Sequence, residues 1–290
     1  MRQEPLALMS TTEPLPTTAL SAAARAVTAM IRIRNEAEFL DAAVRSVVDL
    51  VERVVLVDNL STDATPRIIA RLLAEHPDRI ETHRYPHAVT RVGAEHRALA
   101  AADPGSPRLL SNYYNWCLGH CRTPWVLKWD GDMIALPALA EAMAAWRAGG
   151  RPILVMQGAN VHPDRRHLIR ARVEDKAVLA AQLDTPGLPA WAVRLTYDHP
   201  EPRLFPRAGA AYESGLGWVE RLASPYMDKA RRDDFRLIAA GPCFLHMKFC
   251  KADPWAGYNP DLARVIAGNV ALGPALPADW RRVLERFGHG

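Results

Sequence analysis

Asp130-Gly131-Asp132 places two carboxylates one residue apart around a glycine. Such a pair suits a hard divalent cation, Mg²⁺ or Mn²⁺, shared with phosphate oxygens. A second acidic segment, Asp58-Asn59-Leu60-Ser61-Thr62-Asp63, offers a carboxylate to the hydrogen-bond donors of a base or ribose. Its Ser and Thr are the residue types that cap helices, and Asp63 also reads as a structural loop residue. Asp130-Gly131-Asp132 has its own plain alternative, an acidic turn before the helix expected from Leu136.

The elements around these segments explain why they should meet. Val27–Ile33 reads as a strand, followed by Arg34-Asn35-Glu36. Phe39, Leu40, Ala43, Val44, Val47 and Val48 have helical spacing. Val54–Val57 is a continuous β-branched run of the kind buried in parallel sheets. Pro66 opens a helix carrying Ile68, Ile69, Leu72 and Leu73, and Ile80–Tyr85 is a third strand. Trp125–Trp129 is the fourth, with Asp130 at its end, and Ile153–Met156 a fifth. Strand–helix alternation predicts a parallel α/β sheet, whose strand C-termini are where ligands bind. Residues 86–108 are expected to be a long polar loop, and Leu109–Gly119 and Leu136–Arg147 helices. Beyond 160, short segments such as Ala192–Tyr197, Arg203–Phe205, Phe235–Ile238 and Cys243–Met247 predict a mixed or antiparallel half, and Asp279–Phe287 a final helix.

Three segments in order, Ile31-Arg32-Ile33-Arg34-Asn35-Glu36, Val57-Asp58-Asn59-Leu60-Ser61-Thr62-Asp63-Ala64-Thr65 and Trp129-Asp130-Gly131-Asp132, resemble the start of a family 2, GT-A-fold glycosyltransferase. The resemblance covers about residues 27–160. It implies a Rossmann-like, mostly parallel sheet flanked by helices, with a mixed acceptor-side half. It also implies a nucleotide-diphosphate-sugar donor held by Arg34, Asn35, Glu36, Asp58, Asn59 and Asp130, with Mn²⁺ or Mg²⁺ as cofactor. Further on, Pro202-Arg203-Leu204-Phe205-Pro206-Arg207, Trp218-Val219-Glu220 and His246-Met247-Lys248-Phe249 are similar to the bacterial lipopolysaccharide-core type, with Val219 where that type carries histidine. By that likeness Glu220 is the catalytic base, Glu213 being its rival, and Asp130, Asp132 and His246 hold the metal. Arg34, Arg91, Arg203 and Arg207 are candidates for the diphosphate or an anionic acceptor, Asn112 or Asn115 for the nucleotide, and Trp218 for a sugar face.

The implied organisation is a tail at 1–26, a donor-binding half at 27–160, an acceptor-side half at 161–252 and an extension at 253–290. The implied reaction is inverting transfer to a carbohydrate, lipid-linked or small-molecule acceptor. The alternative is a degenerate transferase-like protein that binds a nucleotide sugar without turnover. A haloacid dehalogenase-type reading is disfavoured, because its nucleophilic Asp belongs on the first strand and Asp130 follows three.

The chain has 290 residues, with 49% hydrophobic and 23% charged, which excludes a disordered or collagen-like chain. The net charge is +4, and only five of the 36 basic residues are lysines. Arginine suits phosphate and carboxylate partners, but these arginines are scattered, so no nucleic-acid partner is expected. Cys117, Cys121, Cys243 and Cys250 have neither zinc-site nor redox spacing and read as free thiols. No stretch is long and apolar enough to span a bilayer. A cytoplasmic protein is expected, with peripheral attachment to the inner membrane face left open.

Overall fold

The chain enters its sheet through β1 (Val27–Ile33), whose residues alternate between two buried faces. Both faces are apolar because helices cover both, as in parallel sheets generally. The structure, a computed structural model, describes residues 25–91, 94–171, 200–214, 220–223, 235–254 and 260–290. The first half follows the expected alternation: α1 (Leu40–Arg45), β2 (Arg53–Asp58), α2 (Thr65–Glu75) and β3 (Ile80–Arg84). Then come α3 (Ala94–Ala102), α4 (Leu110–His120), β4 (Trp125–Asp130), β5 (Met133–Ala135), α5 (Pro137–Ala148) and β6 (Ile153–Asn160).

α3 corrects the expectation of an unbroken loop over 86–108. Five of its nine residues are alanine, and alanine has the highest intrinsic helix propensity. The polar residues flanking it hid that preference.

The second half supplies β7 (His167–Ala171), β8 (Glu201–Pro206), β9 (Ala211–Ser214), β10 (Glu220–Ala223) and β11 (Arg236–His246). It ends with α6 (Pro260–Asn269), β12 (Val270–Ala275) and α7 (Ala278–Arg286). The strand expected at Ala192–Tyr197 lies outside the described residues. The two strands expected at Phe235–Ile238 and Cys243–Met247 are one, β11, with register shifts on either side of Pro242. Proline removes a ladder donor and favours such irregularities.

Eight strands form one sheet in the order β3-β2-β1-β4-β8-β6-β11-β5. β3, β2, β1 and β4 are mutually parallel. β8 runs antiparallel between β4 and β6, β11 is parallel to β6, and β5 pairs antiparallel with β11. This is the expected α/β class: a mostly parallel sheet flanked by helices and continued by a mixed half. Two small ribbons, β9–β10 and β7–β12, stand apart from it.

The C-terminal elements pack back onto the first half. Leu276 and Leu284 share a buried cluster with Phe39, Ala42, Ile134 and Leu245. Arg25, expected in the tail, is buried and donates to the carbonyls of Trp146 and Gly149. No described helix is long and apolar enough to cross a membrane.

Candidate active site

The parallel strands β1, β2 and β4 deliver three loops to one end of the sheet. Asn35 and Leu60, in the first two of these loops, have φ of 56° and 57°. That region is unusual for non-glycine residues and is tolerated best by Asn.

The loops after β1 and β2 are latched together. Asn35 Oδ1 accepts from the Thr62 amide at 2.8 Å, and the Asn35 amide donates to Ser61 Oγ at 2.8 Å. The Glu36 amide donates to Thr65 Oγ1 at 2.8 Å, and the Ala37 amide to Asp63 Oδ2 at 3.1 Å. Ser61, Thr62 and Thr65 thus fix the neighbouring loop, and the side chain of α2's N-cap residue, Ala64, makes no capping bond. Asp63 is structural, also accepting from the Thr65 amide at 2.9 Å.

Asp58 ends β2 and accepts from the Ser61 amide at 3.1 Å. Asn59 is 2% exposed. Its Nδ2 donates to the His87 carbonyl at 2.6 Å, and its Oδ1 faces the Val89 amide at 3.4 Å and Arg34 at 3.5 Å. Its side chain therefore holds the segment after β3. Arg34 and Asn35 are exposed at the loop surface, while Glu36 is buried.

Arg32 and Asp130 are register partners on β1 and β4 and form an ion pair. Asp130 also lies 3.5 Å from Arg203 of β8, which pairs in turn with Glu201. Glu201 is 3.3 Å from Lys128. The Arg32 guanidinium sits 3.6 Å from the Tyr114 ring centroid, a cation–π contact. The two guanidiniums and Lys128 hold Asp130 below its ordinary carboxylate range against the effect of burial.

Asp132 meets a distant element. Met133 of β5 is the register partner of His246 at the end of β11, and the Met247 amide donates to the Asp132 carbonyl at 2.8 Å. This brings His246 Nε2 to 3.4 Å from Asp132 Oδ1. Lys251, just past the 3-10 turn at Lys248–Cys250, places Nζ 2.6 Å from Asp132 Oδ2 and 2.6 Å from Glu36 Oε1. Lys251 and His246 hold the Asp132 carboxyl well below its usual range. Burial and the charge of Asp132 push Glu36 up to about 8. Glu36 Oε2 is buried with no hydrogen-bond partner.

The remaining expected residues are placed as follows. Arg91 and Arg207 are exposed. Asn112 donates to the carbonyls of Pro104 and Ser106, and Asn115 bonds both the amide and carbonyl of Tyr212. Both asparagines therefore brace α4 against its surroundings. Glu213 is exposed and lies 2.9 Å from Arg221. The backbone of Glu220 is opposite Ser214 in the β9–β10 ribbon. Trp218 and Val219 lie outside the described residues. All four cysteines are free. Asp130 and Asp132 do not cap α5, whose N-cap is Leu136.

Among the described residues, the His, Cys and carboxylate atoms that gather within 4.8 Å of one another belong to Glu81, His83 and His120. Glu81 and His83 lie on β3 and His120 at the end of α4, with the two imidazoles stacked at 3.6 Å. At the D-x-D, Asp132 and His246 present an oxygen and a nitrogen donor, and Glu36 an unpartnered buried oxygen. This donor set fits Mn²⁺ or Mg²⁺, with Lys251 as the cation now facing it.

Lys251, Arg32, Lys128 and Glu201 were not foreseen as parts of this site. A charge inside the apolar runs of β1 and β4 was a signal for Arg32 and Lys128, since buried charges need partners. Nothing in the sequence ties Lys251 to Asp132.

Residues 28–103 match the family model described as glycosyl transferase family 2. The match spans β1 through α3, so it includes Asn35, Glu36, Asp58 and Asn59. It ends before the D-x-D and before the segments similar to the lipopolysaccharide-core type. No curated protein sequence matches the chain significantly. Among solved structures, S. aureus TarS 1–349 in complex with UDP is similar at 12% identity, over 83% of this chain and 68% of that one, with a TM-score of 0.45. M. tuberculosis glucosyl-3-phosphoglycerate synthase, in complex with Mn²⁺, UDP and phosphoglyceric acid, is similar at 16% identity. That likeness covers 77% of this chain and 70% of that one, with a TM-score of 0.38.

Proposed function

We propose that the protein is a glycosyltransferase that moves a sugar from a nucleotide-diphosphate sugar to a hydroxyl acceptor with inversion. The observation that carries this reading is a convergence. The loops of the matched segment, with Asn35, Glu36 and Asp58, meet Asp130, Asp132 and His246 at the C-terminal ends of the parallel strands. Ligands of open α/β sheets bind at that end.

Asp58 offers its carboxylate to the base or ribose. Asp132 and His246 would hold the divalent ion, Mn²⁺ or Mg²⁺, which when bound neutralises the charge of the departing diphosphate. Asp130, with oxygens engaged by Arg32 and Arg203, is assigned to shaping the site and the ribose side rather than to direct ligation. Arg34 and Arg91, both exposed on the loops of that end, are available to the diphosphate.

Glu220 is proposed as the base that takes the acceptor proton. Glu213 is already engaged by Arg221 and faces solvent, which supports Glu220 over it. The acceptor is assigned no further than a hydroxyl on a carbohydrate, lipid-linked or small molecule, and the site of action to the cytoplasmic side. Release of nucleoside diphosphate from a panel of nucleotide sugars tests the reading. Turnover with Mn²⁺ that falls at least about a hundredfold in Glu220→Gln, with donor binding retained, is the expected result. Donor binding without turnover under every acceptor would instead favour a degenerate, binding-only protein.

A further inference from the structure

We propose that Lys251 is a built-in cation that a divalent ion must displace from between Glu36 and Asp132 before the donor site is complete. The inference rests on the donor-site reading above. Its basis is geometric. One ammonium lies 2.6 Å from an oxygen of each carboxylate, and those oxygens are among the ones a hard cation would take. A lysine ammonium and a divalent ion cannot share that position, since like charges at such range repel.

The exchange needs only a side-chain movement. Lys251 keeps 22% of its side chain exposed, against 5% for Asp132. The lysine stem is flexible and its ammonium is readily hydrated. The backbone that carries it is separately fixed: the Cys250 amide donates to the Met247 carbonyl at 2.8 Å, and the Met247 amide to the Asp132 carbonyl at 2.8 Å. Swinging Lys251 outward therefore leaves Asp132 and His246 in place.

Charge arithmetic gives the exchange a direction. Replacing one ammonium by a divalent ion adds one positive charge to a site already lined by Arg32, Lys128 and Arg203. A nucleoside diphosphate offsets that charge, so metal and donor load together rather than independently. Without donor, the lysine keeps the buried carboxylates paired and the site folded.

Mn²⁺ binding to the donor-free full chain, followed by the EPR signal of free Mn²⁺, tests this. Lys251→Met should bind Mn²⁺ at least about tenfold tighter than the wild type, while Lys251→Arg, which keeps the charge, should not. In chelator, Lys251→Met should melt below wild type, and Mn²⁺ should raise its midpoint by more. Adding Asp132→Ala to Lys251→Met should abolish the gain. Mn²⁺ affinity that is unchanged or weaker in Lys251→Met overturns the exchange, as does absence of binding in both proteins. If Lys251→Met is unfolded without metal, recovery by Mn²⁺ supports the proposal and failure to recover contradicts it. Failure of the donor-site reading looks different: nucleoside diphosphate then binds no variant, whatever the order of Mn²⁺ affinities.

Discussion

Gly131 packs against Glu36 so closely that a Cβ there would come within 2.9 Å of Glu36 Cγ and 3.2 Å of its Cβ. The glycine of the D-x-D is thus a steric requirement of the loop after β1, and it allows Glu36 and Asp132 to reach one lysine. Gly131→Ala should cost about 1–3 kcal/mol, the usual range for overpacking, measured by urea denaturation. It should also weaken Mn²⁺ and nucleotide binding by shifting Glu36. Wild-type stability and binding in Gly131→Ala would show that the loop has room to spare.

Asn59 couples β2 to the segment after β3 through a side chain bonded to the backbone of His87 and Val89. Removing it deletes hydrogen bonds to a segment in which His87 is exposed and Val89 half-buried, at about 0.5–1.5 kcal/mol. Asn59→Ala should lose stability in that range and become cleavable near residues 86–91 by a probe protease. An intact segment with reduced nucleotide affinity would instead make Asn59 a direct donor contact.

The buried Glu36 carboxyl should leave a mark on stability against pH. Burial and Asp132 raise its folded value to about 8 from an ordinary 4.5. Its contribution is fully present below 4.5 and is lost as pH rises through about 8. The shifts at Asp132 and Lys251 act outside this window, the first below the ordinary carboxylate range and the second above the ordinary lysine range. Burial lowers His120 and His289 from an ordinary 6.5, so they add stability as pH rises below that value and oppose Glu36 there. Relative to Glu36→Gln, the wild type should therefore lose stability as pH rises between about 5 and 8. A slope of the same size in both proteins would assign it to other groups.

Burial pushes the thiols of Cys117, Cys121 and Cys250 up to about 12 and that of Cys243 to about 11. Thiols react as thiolates. Native protein at pH 8 should resist a thiol reagent at the buried Cys117, Cys121 and Cys243 more than at the half-buried Cys250, and unfolding should expose all four. Rapid labelling of Cys117, Cys121 or Cys243 in the native state would contradict the burial seen for it.

Much of the donor half was legible because its signals are local. The runs of β1, β2 and β4 are mostly apolar and buried, β2 and β4 end at Asp58 and Asp130, and β1 is followed by Arg34-Asn35-Glu36. What was not legible depends on long-range pairing. β5 is three residues long and exists through its register with β11, which is how His246 meets Asp132. Lys251 reaches Glu36 across 215 residues, a contact that no spacing rule reports. Asn59 reads as a ligand residue in sequence, yet its side chain is spent on backbone groups only the fold brings near. Glu220 is legible only through family likeness, and the register of the β9–β10 ribbon adds its neighbour, Ser214, but no chemistry.

The central claim is that a nucleoside diphosphate and a divalent ion bind together at Asp132. Thermal unfolding of wild type and Asp132→Ala against a panel of nucleoside diphosphates, with and without Mn²⁺, tests it most directly. At a hundred times its Kd, the correct nucleotide should add about 2.7 kcal/mol of apparent stability. Such a shift is expected for one nucleotide, dependent on Mn²⁺ and absent in Asp132→Ala. No shift with any nucleotide, or an equal shift in Asp132→Ala, would contradict it.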